Sequence, residues 1–109
     1  MNYYLSVSPR AKVDVEENFA FIAKENVDAA LRFYDAAFAS FDQLADTPFI
    51  GTVKHFANSV LSLRRWFVQG FNHYLIFYRV STSTVEIVRV LHSSRDIEKA
   101  LVGDDEEIE

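Results

Sequence analysis

Residues 63–96, LRRWFVQGFNHYLIFYRVSTSTVEIVRVLHSSRD, decide the fold. They divide into three strand-like runs, 63–68, 74–80 and 85–91, joined by a loop at Gly70 and by the STST connection at 81–84. The last run is rich in β-branched residues, as strands are. Short polar connections between successive strands predict an antiparallel meander. In the middle run Tyr74, Ile76, Tyr78 and Val80 share one face while Leu75 and Phe77 occupy the other. A strand apolar on both faces belongs in the centre of a sheet. Arg79 and Arg89 lie inside these apolar runs. An unpaired buried charge is expensive, so each must face an open surface or have a carboxylate partner.

Upstream, residues 2–7 (NYYLSV) read as a first strand. Ser8 then caps a helix whose first position is Pro9, where the missing N–H costs nothing. Ala11, Val15, Phe19, Ile22 and Ala23 form its apolar stripe, and Asp14, Glu16 and Glu17 favour the dipole of its early turns. Asn26 reads as its left-handed stop and Asp28 as the N-cap of a second helix. That helix carries Ala30, Tyr34, Ala37, Phe38, Phe41, Leu44 and Ala45 on one stripe and ends at Thr47-Pro48. The two helices form an αα-hairpin. Residues 52–62 are a polar connection without a decisive pattern, and 97–102 read as a short helix ended by Gly103, with Asp96 as a candidate cap. The predicted class is α+β, in the order β-α-α-β-β-β. The hairpin packs on one face of a mainly antiparallel sheet, and the other face stays partly open.

The chain has 109 residues, half of them hydrophobic, which fits one domain spanning residues 1–103. Its net charge of −5 is unevenly placed. Residues 104–109, DDEEIE, hold five acids and read as a flexible tail. Residues 1–46 carry 4 bases against 8 acids, whereas residues 47–103 carry 7 against 3. A basic sheet half points to an anionic partner, although a solvated face balanced by acidic helices gives the same count. No apolar run approaches the roughly 18 residues of a membrane helix, and no signal peptide opens the chain, so a cytoplasmic location is expected. The absence of cysteine rules out disulfides, thiol catalysis and thiolate metal sites.

His55, His73 and His92 lack the close spacing of a metal-binding pair, and no phosphate loop, dinucleotide fingerprint or nucleophile elbow is present. Neither metal nor cofactor is expected. Acid–base cleavage of RNA needs only a few groups near a phosphate, for which Lys54, His55, Arg64, Arg65, Arg79, Arg89, His92 and Arg95 are available. Residues such as Arg64 and Arg65 are more often solvated strand residues, and a histidine such as His92 is more often a capping or turn residue than a base. Trp66, between Arg65 and Phe67, fits an interface anchor or a core residue equally well.

Several motifs, taken in order, resemble the ParE branch of the RelE/ParE toxins of bacterial toxin–antitoxin pairs. They begin with Ser8-Pro9-x-Ala11, Phe21-Ile22-Ala23, Asn26-x-x-Ala29-Ala30 and Leu44-Ala45-x-x-Pro48-x-Ile50-Gly51. Leu63-Arg64, the run from Tyr74 through Arg79 to Val80, and the run from Glu86 through Arg89 and His92 to Asp96 follow, the last being the most specific. The resemblance implies a growth-inhibiting toxin, neutralised by a ParD-like antitoxin. Its target would be DNA gyrase, bound stoichiometrically, with DNA met only through the gyrase or antitoxin complex. Arg64, Arg65, Trp66, Arg79, Arg89, His92 and Arg95 are the expected target contacts. Phe19, Ile22, Tyr34, Phe38 and Phe41 are the expected antitoxin contacts. Two alternatives stand beside this reading. One is a ribosome-dependent mRNA endonuclease of the RelE type using His92, Arg95, Arg89 and Lys54. The other is a non-toxic co-repressor partner of a DNA-binding antitoxin.

Overall fold

The computed structural model describes residues 3–55 and 62–103; the acidic hexapeptide lies outside them. Strand β1 (Tyr4–Val7) leads into helices α1 (Pro9–Ala23) and α2 (Val27–Asp46), followed by strands β2 (Thr52–His55), β3 (Ser62–Val68), β4 (Phe71–Val80) and β5 (Thr84–His92). The sheet order is β1-β5-β4-β3-β2, so the strand apolar on both faces is indeed central. Among the described residues only the β1–β5 pair is parallel. The architecture is therefore the expected α+β one, with an extra edge strand. Thr52–His55 is too short and polar to declare itself by pattern, and becomes a strand because β3 offers it a complete ladder from Arg65 to Ser62. Among the described residues no helix is long and apolar enough to cross a membrane.

The helix caps divide between confirmation and correction. Ser8 Oγ accepts from the Ala11 N–H at 3.0 Å, with Pro9 opening α1 as read from sequence. At the hairpin, however, Asn26 has an extended backbone (φ −155°) and its side chain accepts from the Ala29 N–H at 2.9 Å. Asn26 is thus the N-cap of α2 and not the stop of α1, and Asp28 sits in the first helical turn. The connection is correspondingly tight.

One core fills the space between hairpin and sheet: Ala11, Val15, Phe33, Ala37, Phe41 and Leu44 against Val68, Tyr74, Ile76, Tyr78, Val85, Ile87 and Val90. Each large side chain among them contributes about 1.5–3 kcal/mol on burial. The α2 stripe is rotated from the expected one. Phe33 is buried and rests edge-on against Phe71 at 5.5 Å, whereas Tyr34 turns outward. Ser40 is buried too, donating to the Ala36 carbonyl and accepting the Gln69 N–H, which pins the β3–β4 turn to α2. At that turn Gly70 has φ +82°, where a side chain would be strained.

The second sheet face is less open than the sequence implied. Leu63, Phe77, Leu91 and Ala100 form a small second core, joined by Leu75, Val88, Ile97 and Leu101. The C-terminal segment supplies the cover, ending in a π-helical turn at Lys99–Gly103. Asp96 begins it as expected, its Oδ1 accepting the Lys99 N–H at 3.1 Å.

Strand β1 pairs with β5 only as far as Ile87. Beyond that point side chains of α1 satisfy the exposed edge. Ser8 Oγ donates to the Val88 carbonyl, Asp14 Oδ2 accepts the Val90 N–H, and Asn18 Nδ2 donates to the Val90 carbonyl. A bulge interrupts the same stretch, since Phe77 faces Arg89 while Tyr78 faces Ile87, leaving Val88 as the additional residue. Next to the bulge Arg89 binds Asp14 through two hydrogen bonds of 2.7 and 3.0 Å and donates to the Ala100 carbonyl at 3.0 Å. One buried guanidinium thus joins α1, β5 and the C-terminal turn.

Candidate functional site

Two surfaces carry the residues of interest. On the helical layer, aromatic rings run from α1 across α2: Phe19 meets Tyr34 at 6.1 Å, Tyr34 meets Phe38 at 5.0 Å, and Phe38 meets Phe41 at 5.2 Å. Phe41 anchors this ladder from within the core, and Ile22 and Phe38 are half-buried against it. Tyr34, by contrast, is exposed. Glu16, Phe19, Leu31 and Tyr34 line an open concavity of about 290 Å³ whose walls are almost wholly apolar. Leu31 and Val27 were not singled out from the sequence. Val27, Leu31, Tyr34 and Phe38 follow at spacings of four, three and four, a second α2 stripe beside the core-facing one.

On the sheet the charge asymmetry is sharper than the half-chain counts showed. The five strands carry Lys54, Arg64, Arg65, Arg79 and Arg89 but a single carboxylate, Glu86. Not all of these cations are available to a partner. Arg89 is 4% exposed and engaged with Asp14 and Ala100. Arg64 donates to the Gly51 carbonyl at 2.8 Å and lies over the Phe49 ring at 4.9 Å, so it holds the α2–β2 loop. Arg79 pairs with Glu86 at 2.6 Å while its side chain stays 57% exposed. Arg65 and Lys54 are half-buried with no ion-pair partner among the described residues. Trp66 is half-buried against the main core and stacks on Phe67 at 4.7 Å. Arg95 is exposed in the turn after β5.

His92 is half-buried, edge-on to Tyr74 at 4.9 Å and stacked at 5.9 Å from His73. Its Nδ1 accepts the Ser94 N–H at 3.0 Å and lies 2.8 Å from Ser94 Oγ. A backbone N–H can only donate, so the neutral ring carries its proton on Nε2. In that state His92 offers a substrate a donor and no lone pair for proton abstraction. Lys54 lies three strands and several residues away, roughly 20 Å by strand spacing and rise. The four residues of the ribonuclease alternative are therefore dispersed: His92 and Arg95 share a turn, Arg89 is interior, and Lys54 is on the far edge strand.

Beneath the sheet cations lies a buried hydroxyl. Tyr78 Oη donates to the Pro48 carbonyl at 2.7 Å and accepts the Gly51 N–H at 2.9 Å. Burial raises its pKa above the usual phenol value, against the lowering effects of the Gly51 hydrogen bond and the Arg64 charge. A Cβ on Gly51 would fall 2.5 Å from this hydroxyl and 2.9 Å from the Arg65 carbonyl, so glycine is required there for close approach.

A family model described as the ParE toxin of the type II toxin–antitoxin system parDE matches residues 5–97. Among solved structures, a chain from the "Chromosomal ParDE TA system from P. aeruginosa" is similar at a TM-score of 0.65 and 14% identity, covering 83% of this chain and 95% of that one. At that identity the likeness is one of fold. No curated protein matches. The family match runs from β1 to just beyond the turn after β5, the body that holds both surfaces, and the chain belongs to the ParE toxin family of type II toxin–antitoxin systems.

Proposed function

We propose that the chain inhibits DNA gyrase, and with it replication, by stoichiometric binding through its sheet side, and that a ParD-like antitoxin neutralises it at the helical hairpin. The observation that carries the binding mechanism is the dispersal of Lys54, Arg89, His92 and Arg95. A ribonuclease needs proton-transfer groups converging on one phosphate, whereas a binding poison needs only an accessible complementary surface. Arg65, Arg79 and Arg95 serve as the outward contacts. Arg64 and Arg89 act by positioning, the first holding the α2–β2 loop and the second clamping the end of β5 from which His92 and Arg95 project.

The antitoxin supplies an amphipathic segment to the hairpin, a mode that places apolar side chains in an apolar groove. The concavity at Phe19, Leu31 and Tyr34 takes one such side chain, with Glu16 at its rim ready for a cation. Expression of the chain alone is expected to arrest growth, and co-expression of the antitoxin to restore it. Leu31→Asp places a charge in the groove without disturbing the core, because Leu31 is 53% exposed. This variant should remain toxic while its antitoxin affinity falls at least about tenfold, as truncated or charged anchor positions do. Growth curves and titration calorimetry test the pair of statements. Unchanged affinity would remove the groove from the interface, and harmless expression of folded wild-type protein would count against toxicity itself.

A further inference from the structure

The C-terminal turn covers only part of the second sheet face, and the uncovered corner has its own chemistry. Directly opposed residues on neighbouring strands share a face. Lys54 is opposite Leu63 and Arg65 opposite Phe77, both members of the second core. Arg79 is two residues beyond Phe77 and so emerges on the same side. Lys54, Arg65 and Arg79 thus surround Leu63, the outer two separated by roughly 10 Å, two strand spacings. Beside Arg79 lies a cavity of about 300 Å³ lined by Ser6, Arg79, Ser81, Thr84 and Glu86. Glu86 is opposite both Ser6 and Arg79, so these three side chains form one row across β1, β5 and β4.

The cavity is arranged around a guanidinium. Glu86 Oε1 takes the Arg79 Nε–H at 2.6 Å, which fixes the side chain and leaves both Nη groups without a protein partner among the described residues. Three hydroxyls stand around it. Glu86 opposes an anion, but its charge is matched by Arg79, and Lys54 and Arg65 add two charges that no strand carboxylate balances. A planar donor fork with hydroxyls and flanking point charges is the donor set that contacts nucleic-acid phosphates.

We propose that this corner binds the phosphodiester backbone of DNA, with Arg79 and the cavity hydroxyls holding one phosphate and Lys54 and Arg65 the neighbouring ones. The proposal extends the gyrase reading, since the backbone met in the cell would be the DNA that the enzyme holds. Charge complementarity selects this occupant over an apolar partner.

The test is fluorescence anisotropy of the purified full chain with a short labelled DNA duplex at several salt concentrations. Three phosphate contacts give a slope of log affinity against log salt of about −2.7, so a fourfold rise in salt weakens binding about 40-fold. Lys54→Gln, Arg65→Gln and Arg79→Gln should each flatten the slope by about 0.9, and the triple variant should bring it near zero. Lys24→Gln, on the helical layer, should leave the slope unchanged. Thermal melting of every variant, with the three single variants measured separately, keeps a folding defect apart from a binding one. Absence of duplex binding by wild type at low salt, or an unchanged slope in the folded triple variant, would overturn the proposal. So would equal competition by poly-aspartate, which would identify an acidic protein surface as the occupant. A DNA-free gyrase pull-down run in parallel separates the two readings. Gyrase capture without duplex binding defeats this inference alone, and duplex binding without gyrase capture defeats only the gyrase target.

Discussion

Asp14→Ala lowers stability by about 3–5 kcal/mol, the range for breaking one side of a buried ion pair. The carboxylate is 2% exposed and receives three hydrogen bonds, two from Arg89 and one from the Val90 N–H. Its removal leaves the interior guanidinium without its counter-charge and the Val90 N–H without its acceptor, a loss comparable with the roughly 5–15 kcal/mol that holds a whole domain together. For a chain of this size the melting temperature falls by roughly 12–20 °C. Replacing both partners, Asp14→Ala with Arg89→Met, should cost less than Asp14→Ala alone, because the orphaned charge leaves with its partner. Thermal denaturation of the two variants checks the order. A double variant less stable than the single one would mean that Arg89 still stabilises the fold without Asp14, through its bond to the Ala100 carbonyl and its packing.

Tyr78→Phe is comparable in size. It strands the Pro48 carbonyl and the Gly51 N–H, two buried groups at about 1–3 kcal/mol each, for a total of roughly 2–6 kcal/mol. The same hydroxyl makes the fold sensitive to alkali. Burial raises the pKa of Tyr78, and also of Tyr74, above the ordinary phenol value of 10.0, so the folded state favours the neutral phenol. The stability this contributes is complete below the unfolded value and is lost as pH rises through the folded one. Denaturant titrations on both sides of pH 10.0 should show wild type losing stability more steeply than Tyr78→Phe. Parallel pH curves would show that Tyr78 titrates alike in both states.

Particular residues explain what the sequence disclosed. Strands β3 to β5 were legible because β-branched and aromatic runs bury both faces of β4, and that enrichment, with turn signals on either side, separates such a run from a buried helix. Strand β2 was not, since four mostly polar residues become a strand only through the partner that β3 provides. On α2, Phe33 and Tyr34 are adjacent aromatics, and a stripe built on either looks helical. The spacing 30, 33, 37, 41, 44 is the one that packs, and it leaves Tyr34 for the groove. Asn26 and Asp28 are both good caps, and the shorter connection prevailed because the Asn26 side chain reaches the Ala29 N–H.

The buried ion pair was half legible. Arg89 inside an apolar run demanded a carboxylate, and Asp14 lies three residues from Ala11 and one from Val15, on the buried side of α1. Read alone, Asp14 looks like a dipole-compensating residue, because its partner is 75 residues away. Separation along the chain also hid the fate of Arg64, which serves the loop carbonyl of Gly51, 13 residues away, rather than a partner surface. A charged residue in an apolar strand thus announces a need for neutralisation without saying whether another part of the chain or another molecule meets it.

The most direct measurement is a gyrase supercoiling assay with purified, antitoxin-free protein, run beside a ribosome-dependent mRNA cleavage assay on the same preparation. Stoichiometric inhibition of supercoiling with accumulation of linear DNA, and intact RNA, is the expected result. Cleaved RNA with unaffected gyrase would contradict it, would make the chain an enzyme, and would turn attention to His92 and Arg95 in their shared turn.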